Sequence, residues 1–117
     1  MDFQEQQYLY YFQNSKYELG KYDCWTFIQD VFEKEQGITL PDVPVFDDPD
    51  NESLLKSNIK HIQLENPEKG CLVFVKTKAY GHVGYAISEK EYMHKTSKTG
   101  VQITLIPKTA EYFRIIK

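Results

Sequence analysis

Cys24 in "GKYDCWTFIQDVF" (Gly20 to Phe32), His82 in "GHVGYAIS" and His94 in "EYMHKTS" are the residues of this 117-residue chain whose types suit acyl-transfer chemistry. A thiol reacts as its thiolate. On the first turn of a helix it lies among backbone N–H groups without intrahelical acceptors, at the positive end of the helix dipole, so a lowered pKa is expected for Cys24. Such a nucleophile needs a base within hydrogen-bond reach and a third group to orient that base. Two histidines on adjacent strands supply both roles. A turn centred on Ser88 pairs Ala86 with Lys90, Gly84 with Tyr92 and His82 with His94, which places the imidazoles side by side with Cβ atoms roughly 4.5–5.5 Å apart. Period-two alternation puts Gly84 and Ala86 on the His82 face and sends Val83, Tyr85 and Ile87 to the other. Small residues beside His82 leave room for a close neighbour, and the start of the Cys24 helix is the expected one.

The elements that position these residues are helices first and strands afterwards. A helix is expected from about Asp2 to Gln13, capped by Asp2, with Leu9 and Phe12 near its end. From Cys24, the apolar positions Cys24, Phe27, Ile28, Val31 and Phe32 follow i, i+3, i+4, i+7, i+8; Asp23 can cap the start and Gly37 ends the run. "ITLPDVPVFDDPDNE" reads as an irregular connection, after which Asp50 or Asn51 can cap a short helix through Leu54 and Leu55. Beyond "NPEKG" the period changes, and five strands are expected: Cys71 to Lys76, His82 to Ser88, Tyr92 to Thr96, Val101 to Ile106 and Tyr112 to Ile116. With no helical segment between them they should pair as an antiparallel meander. The fold class is α+β, with N-terminal helices packed on one face of a small sheet.

A chain of 117 residues, 41% hydrophobic and 15% aromatic, suffices for a single domain over 1–117 with a real core. The net charge of −3, with both signs spread along the chain, provides no basic stripe for a phosphate backbone, so nucleic acid is not an expected partner. No segment has the pattern of a signal peptide or the length of a membrane span, and the chain reads as made in the cytoplasm. Cys24 and Cys71 are expected to be reduced, because a chain with this much apolar material does not need the staple. Cys71 leads a buried strand and reads as inert packing, and His61 in "NIKHIQ" reads as a surface residue. The acidic run Asp47, Asp48, Asp50 and Glu52 reads as a solvated turn and helix cap. A zinc centre built from Cys24, Cys71, His82 and His94 would lack the Cys-x-x-Cys type of pair that structural sites use. No metal and no cofactor is expected.

"YDCWTFIQDVF", "KGCLVFVK", "GHVGYAI" and "YMHKTSKTGVQIT", in this order, resemble the successive motifs of the NlpC/p60 family of cysteine peptidases, over the chain from about Tyr17 onward. "DCW", "GITLPD" and "GVQITLIPKTAEYFRIIK" resemble stand-alone members associated with phage tail tips. The resemblance implies a papain-like fold with Cys24 as nucleophile, His82 as general base and His94 as the polar residue that orients it. It also implies a tyrosine assisting the oxyanion site, for which "YELG" offers Tyr17, with Tyr22 as the substitute. Thr26 stands where glycine is usual and Cys71 where an aspartate commonly follows the glycine, departures that bear on the groove. The implied substrate is an amide bond in peptidoglycan stem peptides, commonly that between D-glutamate and the diamino acid, cut at the cell wall after delivery by a phage tail or secretion system. The residues themselves show only a cysteine hydrolase site. A toxin-like hydrolase or deamidase with another target, and a catalytically silent tail-tip module, are the other readings the sequence admits.

Overall fold

Asp23 starts the principal helix by a local device. Its backbone is extended (φ −98°, ψ −169°) and its carboxylate accepts the Thr26 N–H at 3.0 Å, while the Thr26 hydroxyl donates back to the Asp23 carbonyl at 3.1 Å. At the other end Gly37 takes the left-handed conformation (φ 67°) and its N–H closes onto Glu33 O at 3.0 Å. In the computed structural model, which describes residues 8–13, 23–42, 59–76 and 81–116, this helix spans Cys24–Gln36 and is here α2. It buries Cys24, Phe27, Ile28, Val31 and Phe32, the stripe its spacing predicts, and Trp25 besides. The indole N–H of Trp25 donates to Pro41 O at 2.9 Å, so the residues after the helix fold back along its first turns.

A short helix, α1 (Leu9–Gln13), precedes it. Tyr8 and Tyr11 are buried, Phe12 packs half-buried against the core, and Leu9 is exposed. Tyr11 meets Phe27 edge to face at 5.8 Å, which is how α1 is held to α2. The remainder of the helix expected from Asp2, and the short helix expected near Leu54, lie outside the described residues.

The strands form one antiparallel sheet: β1 (His61–Leu64), β2 (Leu72–Lys76), β3 (Gly81–Ala86), β4 (Glu91–Thr96), β5 (Gly100–Leu105) and β6 (Glu111–Ile115), in the order β1-β6-β2-β3-β4-β5. Among the described residues there are thus six strands rather than five. The additional strand contains His61, which is half-buried rather than on the surface, its Nδ1 2.6 Å from Ile59 O and its ring edge-on to Phe113. Nor is the sheet a simple meander. β2 to β5 follow one another, but β6 returns to pair with β2, Leu72 facing Phe113, and carries β1 on its far side. α2 covers the face bearing Leu72, Phe74, Val83, Tyr85, Met93 and Phe113. Cys71, Val73, Ala86, Tyr92 and Ala110 form a second, smaller apolar cluster. Gln36, at the end of α2, ties helix to sheet by donating to Gly70 O at 2.8 Å and reaching the Tyr85 hydroxyl at 3.2 Å.

Candidate active site

The β3–β4 hairpin decides how the two histidines meet. Ser88 Oγ accepts the N–H groups of Lys90 (3.2 Å) and Glu91 (3.1 Å), a side-chain turn that moves the hairpin centre one residue beyond Ser88. The register is therefore Gly84 with His94, Tyr85 with Met93 and Ala86 with Tyr92. This corrects the expected pairing of His82 directly with His94. A shift of two residues keeps each side chain on its face, so the rings still meet, now diagonally: His82 Nε2 lies 2.9 Å from His94 Nδ1. His94 Nε2 in turn lies 2.8 Å from Thr104 Oγ1 on β5. His82, His94 and Thr104 form a diagonal row across three neighbouring strands.

Gly84 does not make room for the helix, as was expected. The Tyr92 ring occupies that space: a Cβ on Gly84 would stand 2.2 Å from Tyr92 Cδ2. Tyr92 lies flat on His94, with ring centroids 4.1 Å apart and planes 7° from parallel. Glycine is needed here because an aromatic ring, not a helix, crosses the strand.

Cys24 approaches β3 from the α2 side, and its thiol is hydrogen-bonded by the backbone N–H of Val83, next in sequence to His82. That bond and the N–H groups of Cys24 and Trp25 favour the thiolate, as the helix start predicts. They are outweighed. Burial pushes the thiol up to about 12, and the nearby Asp23 charge adds to the rise, so the expected lowering of the Cys24 pKa is overturned. Desolvation disfavours the anion more than a few aligned N–H groups favour it. The imidazoles move the opposite way for the same reason: burial lowers His82 to about 4, and burial together with the charge of His82 lowers His94 to about 3. The resting groups are a neutral thiol against the backbone of β3 and two neutral imidazoles joined to each other.

The structure thus joins His82 to His94 and brings the Cys24 thiol to the backbone of the same strand. Among the described residues His82 Nδ1 has no hydrogen-bond partner, the thiol included. Tyr17 and Tyr22 lie outside the described residues, as does the acidic run Asp47, Asp48, Asp50 and Glu52. Cys71 is buried with its thiol pKa raised by burial, and neither cysteine forms a disulfide. Among the described residues no group of three or more His, Cys, Asp or Glu side chains is arranged to hold a metal ion, and no helix is long and apolar enough to cross a membrane.

Three residues of the site went unrecognised in the sequence. Thr104 and Tyr92 contact His94, and their roles depend on registers that the sequence leaves open. Lys95 is buried on the α2 face of β4, near the charges of Asp23 and Asp30; burial lowers its pKa and both carboxylates oppose that. Alternation from Met93 would have placed Lys95 on that face.

Helices on an antiparallel sheet, with a buried cysteine at a helix start against a strand that carries one of two linked histidines, define an α+β domain of the kind that supports thiol chemistry. The chain belongs to the NlpC/P60 family, whose model matches residues 6–114. Members of that family are typically cysteine peptidases. Comparison with curated proteins finds no match.

Proposed function

We propose that the protein is a cysteine peptidase that hydrolyses amide bonds in peptidoglycan stem peptides, with Cys24 as nucleophile, His82 as general base and His94 orienting His82. The observation that carries the reading is the His82–His94 hydrogen bond. It engages Nε2 of His82 and leaves Nδ1 as the ring nitrogen available to a thiol, on the residue next to the one whose N–H bonds that thiol. Family membership supports thiol hydrolysis, and the cell wall as its setting.

Because the resting groups are neutral, proton transfer accompanies attack. His82 Nδ1 takes the thiol proton as sulfur bonds to the amide carbonyl carbon, and the tetrahedral oxyanion is held by the Cys24 backbone N–H with help from Tyr17 or Tyr22. The C–N bond then breaks, the amine leaves with the proton from His82, and water, activated by the same nitrogen, releases the acyl group from sulfur. A papain-like arrangement of helix and sheet suits this sequence of steps. The protein acts at the wall when a phage tail or secretion system brings it there.

Mass spectrometry of peptidoglycan fragments tests the reading. The wild type should release new stem-peptide fragments. Cys24→Ala and His82→Ala should lower turnover by about 10⁴-fold or more, and His94→Gln should keep part of it, with melting temperatures confirming that each variant folds. Stem peptides left intact by folded wild type, or cut equally well by Cys24→Ala, would sink the proposal.

A further inference from the structure

We infer that Thr104 is a positioning residue of this site: its hydroxyl oxygen accepts the Nε2 proton of His94 and thereby sets the tautomers of both imidazoles so that His82 presents an unprotonated Nδ1. The catalytic consequence rests on the cysteine-hydrolase reading above, whereas the tautomer assignment rests on the His82–His94–Thr104 row and on which arrangement gives each ring N–H a protein acceptor.

A neutral imidazole has one N–H donor and one acceptor nitrogen. His82 Nε2 and His94 Nδ1 are 2.9 Å apart, so one carries a proton and the other does not. Two arrangements satisfy that bond. In the first, His82 Nε2–H donates to His94 Nδ1, and His94 Nε2–H donates to Thr104 Oγ1 at 2.8 Å. In the second, the Thr104 hydroxyl donates to His94 Nε2, His94 Nδ1–H donates to His82 Nε2, and the His82 proton sits on Nδ1. The second leaves His82 with an N–H that has no acceptor among the described residues. That N–H has only solvent to donate to, at a half-buried ring. The first pairs every ring N–H, and the donor left over is the hydroxyl of Thr104, which is half-buried and can rotate toward water. The first arrangement is therefore favoured, and it is also the one in which His82 can accept a thiol proton.

The threonine oxygen is held where this requires it. Thr104 faces Tyr92 directly across the β4–β5 ladder, and Tyr92 stacks on His94 at 4.1 Å, fixing the plane of the ring whose Nε2 points at Oγ1. The row is directional: the oxygen acts on His94, and His94 acts on His82.

Proton-coupled ¹⁵N NMR of histidine-labelled protein near neutral pH reads the tautomers. The Nε2–H form is expected for both His82 and His94 in the wild type, and an Nδ1–H form of His94 would overturn the inference whatever the activity. Thr104→Val removes the acceptor; it should move His94 toward Nδ1–H and lower kcat on stem peptides by about tenfold, the order of one neutral hydrogen bond, with KM little changed. Thr104→Ser should restore both tautomers and rate. If Thr104→Val does not fold, the wild-type and Thr104→Ser spectra decide, since both must show Nε2–H. A folded Thr104→Val with wild-type tautomers and kcat overturns the role of Thr104. A wild type that shows Nε2–H on both rings yet cuts no stem peptide supports the positioning row and removes the hydrolase reading instead.

Discussion

A thiol raised to about 12 and imidazoles lowered to about 4 and about 3 make a different resting set from the thiolate–imidazolium pair that a helix-start cysteine suggests. The difference is measurable without substrate. Alkylation requires thiolate, whose fraction at a raised thiol grows about tenfold per pH unit until the pKa is reached. The rate at which iodoacetamide labels Cys24, followed by peptide mass spectrometry, should therefore keep climbing from neutral pH through 9, the ordinary thiol value. A plateau near neutral pH would show that an ion pair forms before substrate arrives. Cys71 serves as the comparison, since burial raises its pKa as well and it lies in the second, smaller apolar cluster rather than at the start of α2.

At the scale of elements, the β3–β4 hairpin aligns the site, and Gly84 is its least replaceable residue. Any side chain there must displace Tyr92, because a Cβ would lie 2.2 Å from one ring carbon and 2.7 Å from another, and 3.1 Å from His94 Cβ. Overpacking of this kind costs about 1–3 kcal/mol, and the ring that must move is the one stacked on His94. Gly84→Ala should lower the midpoint of thermal unfolding and reduce hydrolysis in the fraction that stays folded. Wild-type stability together with wild-type turnover would show that Tyr92 has no part in holding His94. α2 is the other element the site depends on. Its start is held by the Asp23 cap, and the buried Lys95 beneath it lies within electrostatic reach of Asp23 and Asp30, so the charge beside Cys24 is not uncompensated.

For the whole molecule, the half-buried His82 and the buried His94 link folding to pH. Unfolded histidine titrates near 6.5, whereas folded His82 and His94 titrate near 4 and 3. Above 6.5 both states are neutral at these residues and their contribution to stability is complete. As pH falls below 6.5, the unfolded chain binds protons that the folded chain excludes, so stability falls, with each histidine contributing a slope of about 1.4 kcal/mol per pH unit until its folded pKa is passed. The melting temperature should decline on acidification across that window, and His94→Asn should decline less steeply. Equal slopes for the two proteins in scanning calorimetry would mean that His94 is protonated in the folded state.

What the sequence alone determined is local. Asp23, the i, i+3, i+4 spacing and Gly37 bounded α2 and set Cys24 on its first turn, because caps and a helical stripe act within a few residues. Alternation placed His82 and His94 on one face, and that survived an error of two residues in register, since only an odd slip turns a side chain over. Tertiary structure decided the rest. Ser88 recentred the hairpin through bonds that its side chain makes to the backbone, β6 paired with β2 rather than β5, and Thr104 reached His94 only once two ladders were in register. The thiol pKa reversed direction for a related reason: helix-start N–H groups are local and legible, whereas the burial that outweighs them comes from the fold as a whole.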